Sequence, residues 1–173
     1  MTSRFLLLVL LLALPTAGQA KENAAMSFAK EQFEIAPAVR SLSVTGRVAK
    51  ACHEILGRDD TPRSIVYYVG TEGVLWVLSA RGKHGPIEAG FIVAEGRILN
   101  ARILADREQR GRPIRSKRYL RQYAGVRLNS RGRLNEKVDG LTGATISSRA
   151  VAKMARLALR LSTITGDDGK KTE

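Results

Sequence analysis

Nine consecutive residues, Asp139-Gly140-Leu141-Thr142-Gly143-Ala144-Thr145-Ile146-Ser147, bring hydroxyls, a carboxylate and small side chains together. Directly after them, Ala150, Val151, Met154, Leu157 and Leu161 recur at helical spacing with Ile146, while Arg149, Lys153, Arg156 and Arg160 line the opposite side. The pattern predicts a turn that opens into an amphipathic helix starting just after Thr145. The first turn of a helix has unpaired backbone N–H groups and the positive end of the dipole, so it attracts phosphate. Gly143 permits a positive φ and a close approach of main chain to ligand. Ala144 keeps the volume beside it small. Thr145 then stands at the helix mouth either as an ordinary N-cap or as an oxygen that carries a phosphoester.

The elements that must hold this turn can be read from the periodicity upstream. Ala25 to Phe33 predicts a short helix, followed by a connector broken by Pro37. Val48, Ala51, Cys52 and Ile55 fall on one helical stripe that Gly57 ends. Cys52 belongs to that stripe as a small buried side chain. After the Asp59–Pro62 turn the period changes to two. Ile65–Val69 and Val74–Leu78 are apolar on both faces and read as neighbouring strands near the middle of a sheet, with Trp76 in the core. Ile87–Ala94 and Arg97–Ala105 form a further pair joined through Glu95-Gly96. Ser116–Tyr123 predicts a short helix and Arg127–Val138 an irregular return with a turn at Gly132. The fold class is α+β: one antiparallel sheet with helices packed on it, the last helix presenting the site at its N-terminus.

The N-terminus bears on compartment. A basic start at Arg4, an apolar run from Phe5 to Leu14 and small residues at Gly18 and Ala20 have the layout of a secretory signal peptide cleaved after Ala20. The run is about half the ~20 residues that span a bilayer. On this reading residues 1–20 are the signal peptide, 21–62 an N-terminal helical segment, 63–165 the main domain and 166–173 a disordered tail. The expected location is periplasmic or otherwise exported, with peripheral membrane association through basic residues.

The charge is +13, from 29 Lys and Arg against 16 Asp and Glu. Eleven of those cations lie between Arg102 and Arg133, against only Asp106 and Glu108. Export and the scarcity of interleaved aromatics argue against a nucleic-acid surface. An anionic cofactor, an acidic redox partner or anionic lipid remain as targets of the field. One Cys and two His give no metal set, and Ala49 occupies the place of the second Cys that a haem-attachment motif needs. His53 and His84 lie in different segments, so no nucleophile–base pair for hydrolysis is evident.

The stretch 139–147 resembles the flavinylation signature of the FMN-binding domain family, which runs Asp, two free positions, Ser or Thr, Gly, Ala, then the Ser or Thr that is modified. Every fixed position is filled, by Asp139, Thr142, Gly143, Ala144 and Thr145. A looser likeness extends over about Ser64 to Leu161, through Glu95-Gly96-Arg97-Ile98, Arg107–Gly111 and Tyr119-Leu120-Arg121-Gln122-Tyr123. The resemblance implies FMN joined through a phosphoester to Thr145 by a separate Mg-dependent flavin transferase with FAD as donor. It implies an electron carrier, its turn shaped by Thr142, Gly143 and Ala144, with Ser147 closing the signature. Asp139 would hold the turn through its side chain or present the site to the transferase. Glu108 and Gly111 would contribute to the isoalloxazine pocket, and arginines of the 107–121 segment would stabilise reduced flavin or recruit an acidic partner. Family members include subunits of the sodium-pumping NADH:quinone reductase and of related electron-transport complexes, and regulators of denitrification. This chain resembles a small, free-standing exported member.

Two other classes remain open on the sequence. One is a module that holds FMN or another phosphate ligand at the same helix mouth without a covalent bond. The other is a basic exported adaptor on anionic lipid or an acidic partner, with no cofactor.

Overall fold

The computed structural model describes residues 17–107 and 112–166. The fold is α+β. Five antiparallel strands lie in simple sequential order: β1 (Ala38–Ser43), β2 (Ser64–Val69), β3 (Val74–Arg81), β4 (Pro86–Ala94) and β5 (Arg97–Ala105). Helix α2 (Gly46–Ile55) and the long α4 (Thr145–Thr165) share one core with one face of this sheet. Helix α1 (Ala17–Gln32) packs on the other face. A one-turn helix, α3 (Lys117–Leu120), continues as a 3-10 turn through Tyr123 and sits beside β5.

The two apolar faces expected of the central strands are explained by helices on both sides. Along β3, Val74, Trp76, Leu78 and Ala80 enter the core with α4, while Leu75 belongs to the smaller cluster under α1. Successive side chains of a strand point to opposite faces, so a strand covered on both sides must be apolar throughout. Trp76 has no exposed surface, stacks on Tyr67 at 4.7 Å between centroids, and donates from Nε1 to the Ser162 hydroxyl at 2.7 Å. That bond fixes the C-terminal half of α4 across the middle of the sheet.

The N-terminal segment departs from the expectation. The expected short helix 25–33 is part of the longer α1, which runs unbroken past Ala20. Ala38–Ser43, read as a connector, is an edge strand paired to β2 from Ala38↔Val69 to Ser43↔Ser64. Its side chains are almost all exposed, so it carries no burial pattern to read, and its ladder to β2 defines it. Helix α1 is seated by Phe28 and Phe33 and by Arg102, whose guanidinium lies 4.4 Å from the Phe28 ring and donates twice to the Glu31 carboxylate. A Cβ at Gly70 would fall 2.5 Å from the Phe33 ring, so only glycine lets α1 end there. The expected frayed tail lies outside the described residues except Gly166, whose φ of 72° closes α4 as a left-handed C-cap. Among the described residues no helix is long and apolar enough to cross a membrane.

Candidate functional site

The turn before α4 is built from its own backbone. Ala144 donates to the Leu141 carbonyl at 2.9 Å, and Gly143 between them has φ of 80°, the value a type II turn requires at its third residue. A Cβ at Gly143 would meet no atom within 4 Å, so the need for glycine here is conformational and not steric.

The capping reading of Thr145 does not hold. Ala144 occupies the N-cap position, Thr145 is the first helical residue, and among the described residues no side chain caps the helix. The first helical bond runs from the Ser148 N–H to the Ala144 carbonyl at 2.9 Å. The N–H groups of Thr145, Ile146 and Ser147 therefore have no partner among the described residues, which is the state an anion would satisfy. The Thr145 side chain is exposed, and its hydroxyl makes no hydrogen bond to another described residue.

Gly143, Ala144, Thr145, Ile146 and Ser147 line one wall of a cavity of about 190 Å³. Ser147 is 1% exposed, and its hydroxyl has no hydrogen-bond partner among the described residues. A hydroxyl left so at the wall of a cavity, beside three unpaired amides, suits a ligand rich in acceptors. Ser148 differs: its hydroxyl donates to the Thr145 carbonyl at 3.1 Å and stabilises the first turn.

The segment 119–123 acts as a clamp on this turn. Gln122 Oε1 accepts from the Asp139 N–H at 2.9 Å, and Tyr119 Oη donates to the Ser148 carbonyl at 3.3 Å. The two bonds hold the signature at its first residue and just past its last. Tyr119 and Tyr123 share a hydrogen bond of 3.0 Å between their hydroxyls, and burial pushes both phenols up from their ordinary value. Asp139 is thus held by its main chain. Its exposed carboxylate makes no hydrogen bond to another described residue, so it does not hold the turn as expected.

Thr142 is exposed at the apex of the turn. Glu108 and Gly111 lie outside the described residues. Among the described residues, the arginines of the 107–121 segment do not line the cavity: Arg115 pairs with Asp106 at 2.5 Å, and Arg118 and Arg121 are exposed. The basic run of the sequence is likewise divided by the fold: Arg102 lies under α1, while Gly132, between Arg131 and Arg133, is held to α4 by Arg156, whose Nε donates to its carbonyl at 2.6 Å. Sequence reasoning missed Lys83 and His84, which face the helix mouth across the cavity from the β3–β4 turn.

A larger cavity of about 350 Å³ lies between α2 and the far end of α4, lined by Arg47, Lys50, Glu54 and Arg160 among others. Arg160 is 15 residues from Thr145, or about 22 Å along the helix. The two cavities are separate sites. Among the described residues no group of three acidic, His or Cys side chains is placed to hold a metal.

Residues 82–160, from the β3–β4 turn into α4, match the family model of the FMN-binding domain. The matched region contains both walls of the cavity and the clamp between them. No curated protein matches the chain. FMN is the cofactor that this match supports. The three free amides and the unpaired Ser147 hydroxyl fit its phosphate end. The cavity, about 190 Å³, is smaller than the roughly 300–1,000 Å³ that encloses a ligand of this size, so it would hold only part of one.

Proposed function

We propose that the chain is an exported electron-transfer flavoprotein whose FMN is joined through a phosphoester to Thr145. The observation that carries this reading is the exposed Thr145 hydroxyl on the wall of a cavity that also offers three free amides and the unpaired Ser147 hydroxyl. The amides and Ser147 receive the phosphate oxygens. Gly143 sets the turn so that the three N–H groups converge. Gln122 and Tyr119 keep the turn in register with α4. Bound FMN supplies reversible uptake of electrons, and the protein contributes orientation and electrostatics.

Attachment proceeds by attack of the Thr145 oxygen on the FMN-side phosphorus of FAD. The P–O bond to the AMP moiety breaks, AMP leaves, and the hydroxyl proton passes to a base of the flavin transferase. An exposed hydroxyl at the head of a helix is accessible to such an enzyme, whereas a buried one such as Ser147 is not. The signal peptide, cleaved after Ala20, sends the product to the periplasm. The remaining partners are an acidic redox protein or a membrane electron-transport complex, drawn by a net charge of 13 − 1 = +12 once Arg4 leaves with the signal peptide.

The test is an intact mass of the exported protein made with and without a flavin transferase, followed by peptide mapping. A mass gain of one FMN less water, retained after denaturation and mapped to Thr145, is expected. Thr145→Ser retains the gain and Thr145→Ala abolishes it. Yellow colour lost on denaturation in both Thr145→Ala and the unaltered protein is the outcome of non-covalent binding. An unmodified, colourless protein overturns the flavin reading.

A further inference from the structure

The β3–β4 turn brings a cation to the helix mouth that the signature itself does not supply. Gly82 and Gly85 close a two-residue turn through an N–H···O bond of 2.8 Å, leaving Lys83 and His84 at its apex. Both are exposed, and both line the cavity whose other wall is Gly143–Ser147. The hairpin is firmly placed: β3 and β4 pair without interruption from Val74↔Val93 to Arg81↔Pro86, and α4 packs on both strands. A lysine held on a rigid turn opposite three free amides completes an anion site from two sides. Ser147, a residue 1% exposed, lines the same cavity, and its hydroxyl has no hydrogen-bond partner among the described residues, so it independently offers a donor to acceptor oxygens placed there.

We propose that Lys83 is a phosphate-positioning residue, which closes the helix mouth over the FMN phosphate and makes the site select phosphorylated flavins over riboflavin. The inference rests on the flavin reading above. Chemically, amide N–H groups and a hydroxyl donate to phosphate without neutralising it. An ammonium group on the opposite wall adds charge to the hydrogen bond, and such bonds are about twice as strong as neutral ones. His84 shares the apex and shapes the same wall.

The experiment compares unaltered protein, Lys83→Ala and Lys83→Arg, each co-expressed with a flavin transferase and scored first by intact mass. In the loaded proteins, phosphorus NMR reads the phosphodiester directly. The resonance of the unaltered protein is expected to move in Lys83→Ala and to return in Lys83→Arg. The same resonance in unaltered protein and Lys83→Ala overturns the proposal while leaving flavinylation intact. If the unaltered protein does not load, covalent attachment fails, and titration of the unloaded proteins with FMN and riboflavin decides the remaining question. A loss of about tenfold in FMN affinity for Lys83→Ala, with riboflavin unchanged, supports the role of Lys83. Equal FMN affinity in the two proteins, or no FMN binding by either, overturns it. Lys83 is an exposed turn residue, so its replacement leaves the core untouched.

Discussion

Replacing Gly143 separates the conformational demand of the turn from any demand for space. Its φ of 80° lies in the left-handed region, and a Cβ there meets nothing within 4 Å. Alanine therefore suffers the backbone penalty alone, about 1–2 kcal/mol. Asparagine tolerates this region better, so its cost is smaller. For a domain of this size 1 kcal/mol corresponds to about 2–4 °C in melting temperature. Thermal unfolding of the unloaded protein is expected to fall by that order for Gly143→Ala and by less for Gly143→Asn. Flavin loading should follow the same rank, because relaxing φ rotates the amides of Thr145 and Ile146 away from a common point. Equal melting temperatures for all three proteins would refute the argument that the turn needs a positive φ. A fall of 10 °C or more would refute the absence of a steric component.

Three further outcomes follow from the packing around the site. Ser162→Ala leaves the Trp76 indole N–H buried without its acceptor, at a cost of about 1–3 kcal/mol by denaturant unfolding. The same change made in a Trp76→Phe background should cost less, and an undiminished cost would show that the bond contributes nothing. Removing the Gln122 clamp with Gln122→Ala should lower the melting temperature by no more than about 4 °C, since one hydrogen bond contributes about 1 kcal/mol. It should also raise amide exchange from Asp139 to Ser147, and unchanged exchange there would contradict the clamp. Finally, the Arg102 hydrogen bond, reinforced by its charge, holds the Glu31 carboxyl below the usual carboxylate range. A carboxyl whose folded pKa is depressed contributes stability above its unfolded pKa and loses it as pH falls through the folded value. The stability difference between the unaltered protein and Glu31→Gln should be present at neutral pH and shrink on acidification; a pH-independent difference would exclude the pair as its source.

Much of the fold was legible because it is encoded by period. The apolar stripe of α4, the two-faced strands β2 and β3, and the Glu95-Gly96 hairpin each announce themselves within a dozen residues. Strand β1 was not legible, because an edge strand exposed on both faces has no hydrophobic alternation and exists only through its ladder to β2. The basic run 102–133 read as one field, yet the chain turns several times within it, so its arginines point to different faces.

For the site, the sequence by itself determined the chemistry of one wall. A glycine that tolerates positive φ, a hydroxyl after it and an amphipathic helix behind are local properties, and no partner segment is needed to create them. Only the tertiary structure decided what stands opposite. Lys83 and His84 look like any polar hairpin turn, and Tyr119 and Gln122, though part of the looser likeness, carry no sign of the segment they touch. Sheet register and the packing of α4 across β3 and β4 bring segments about sixty residues apart to one cavity. That meeting depends on the summed burial of the core rather than on a residue in either segment, so it leaves no signature in the local sequence.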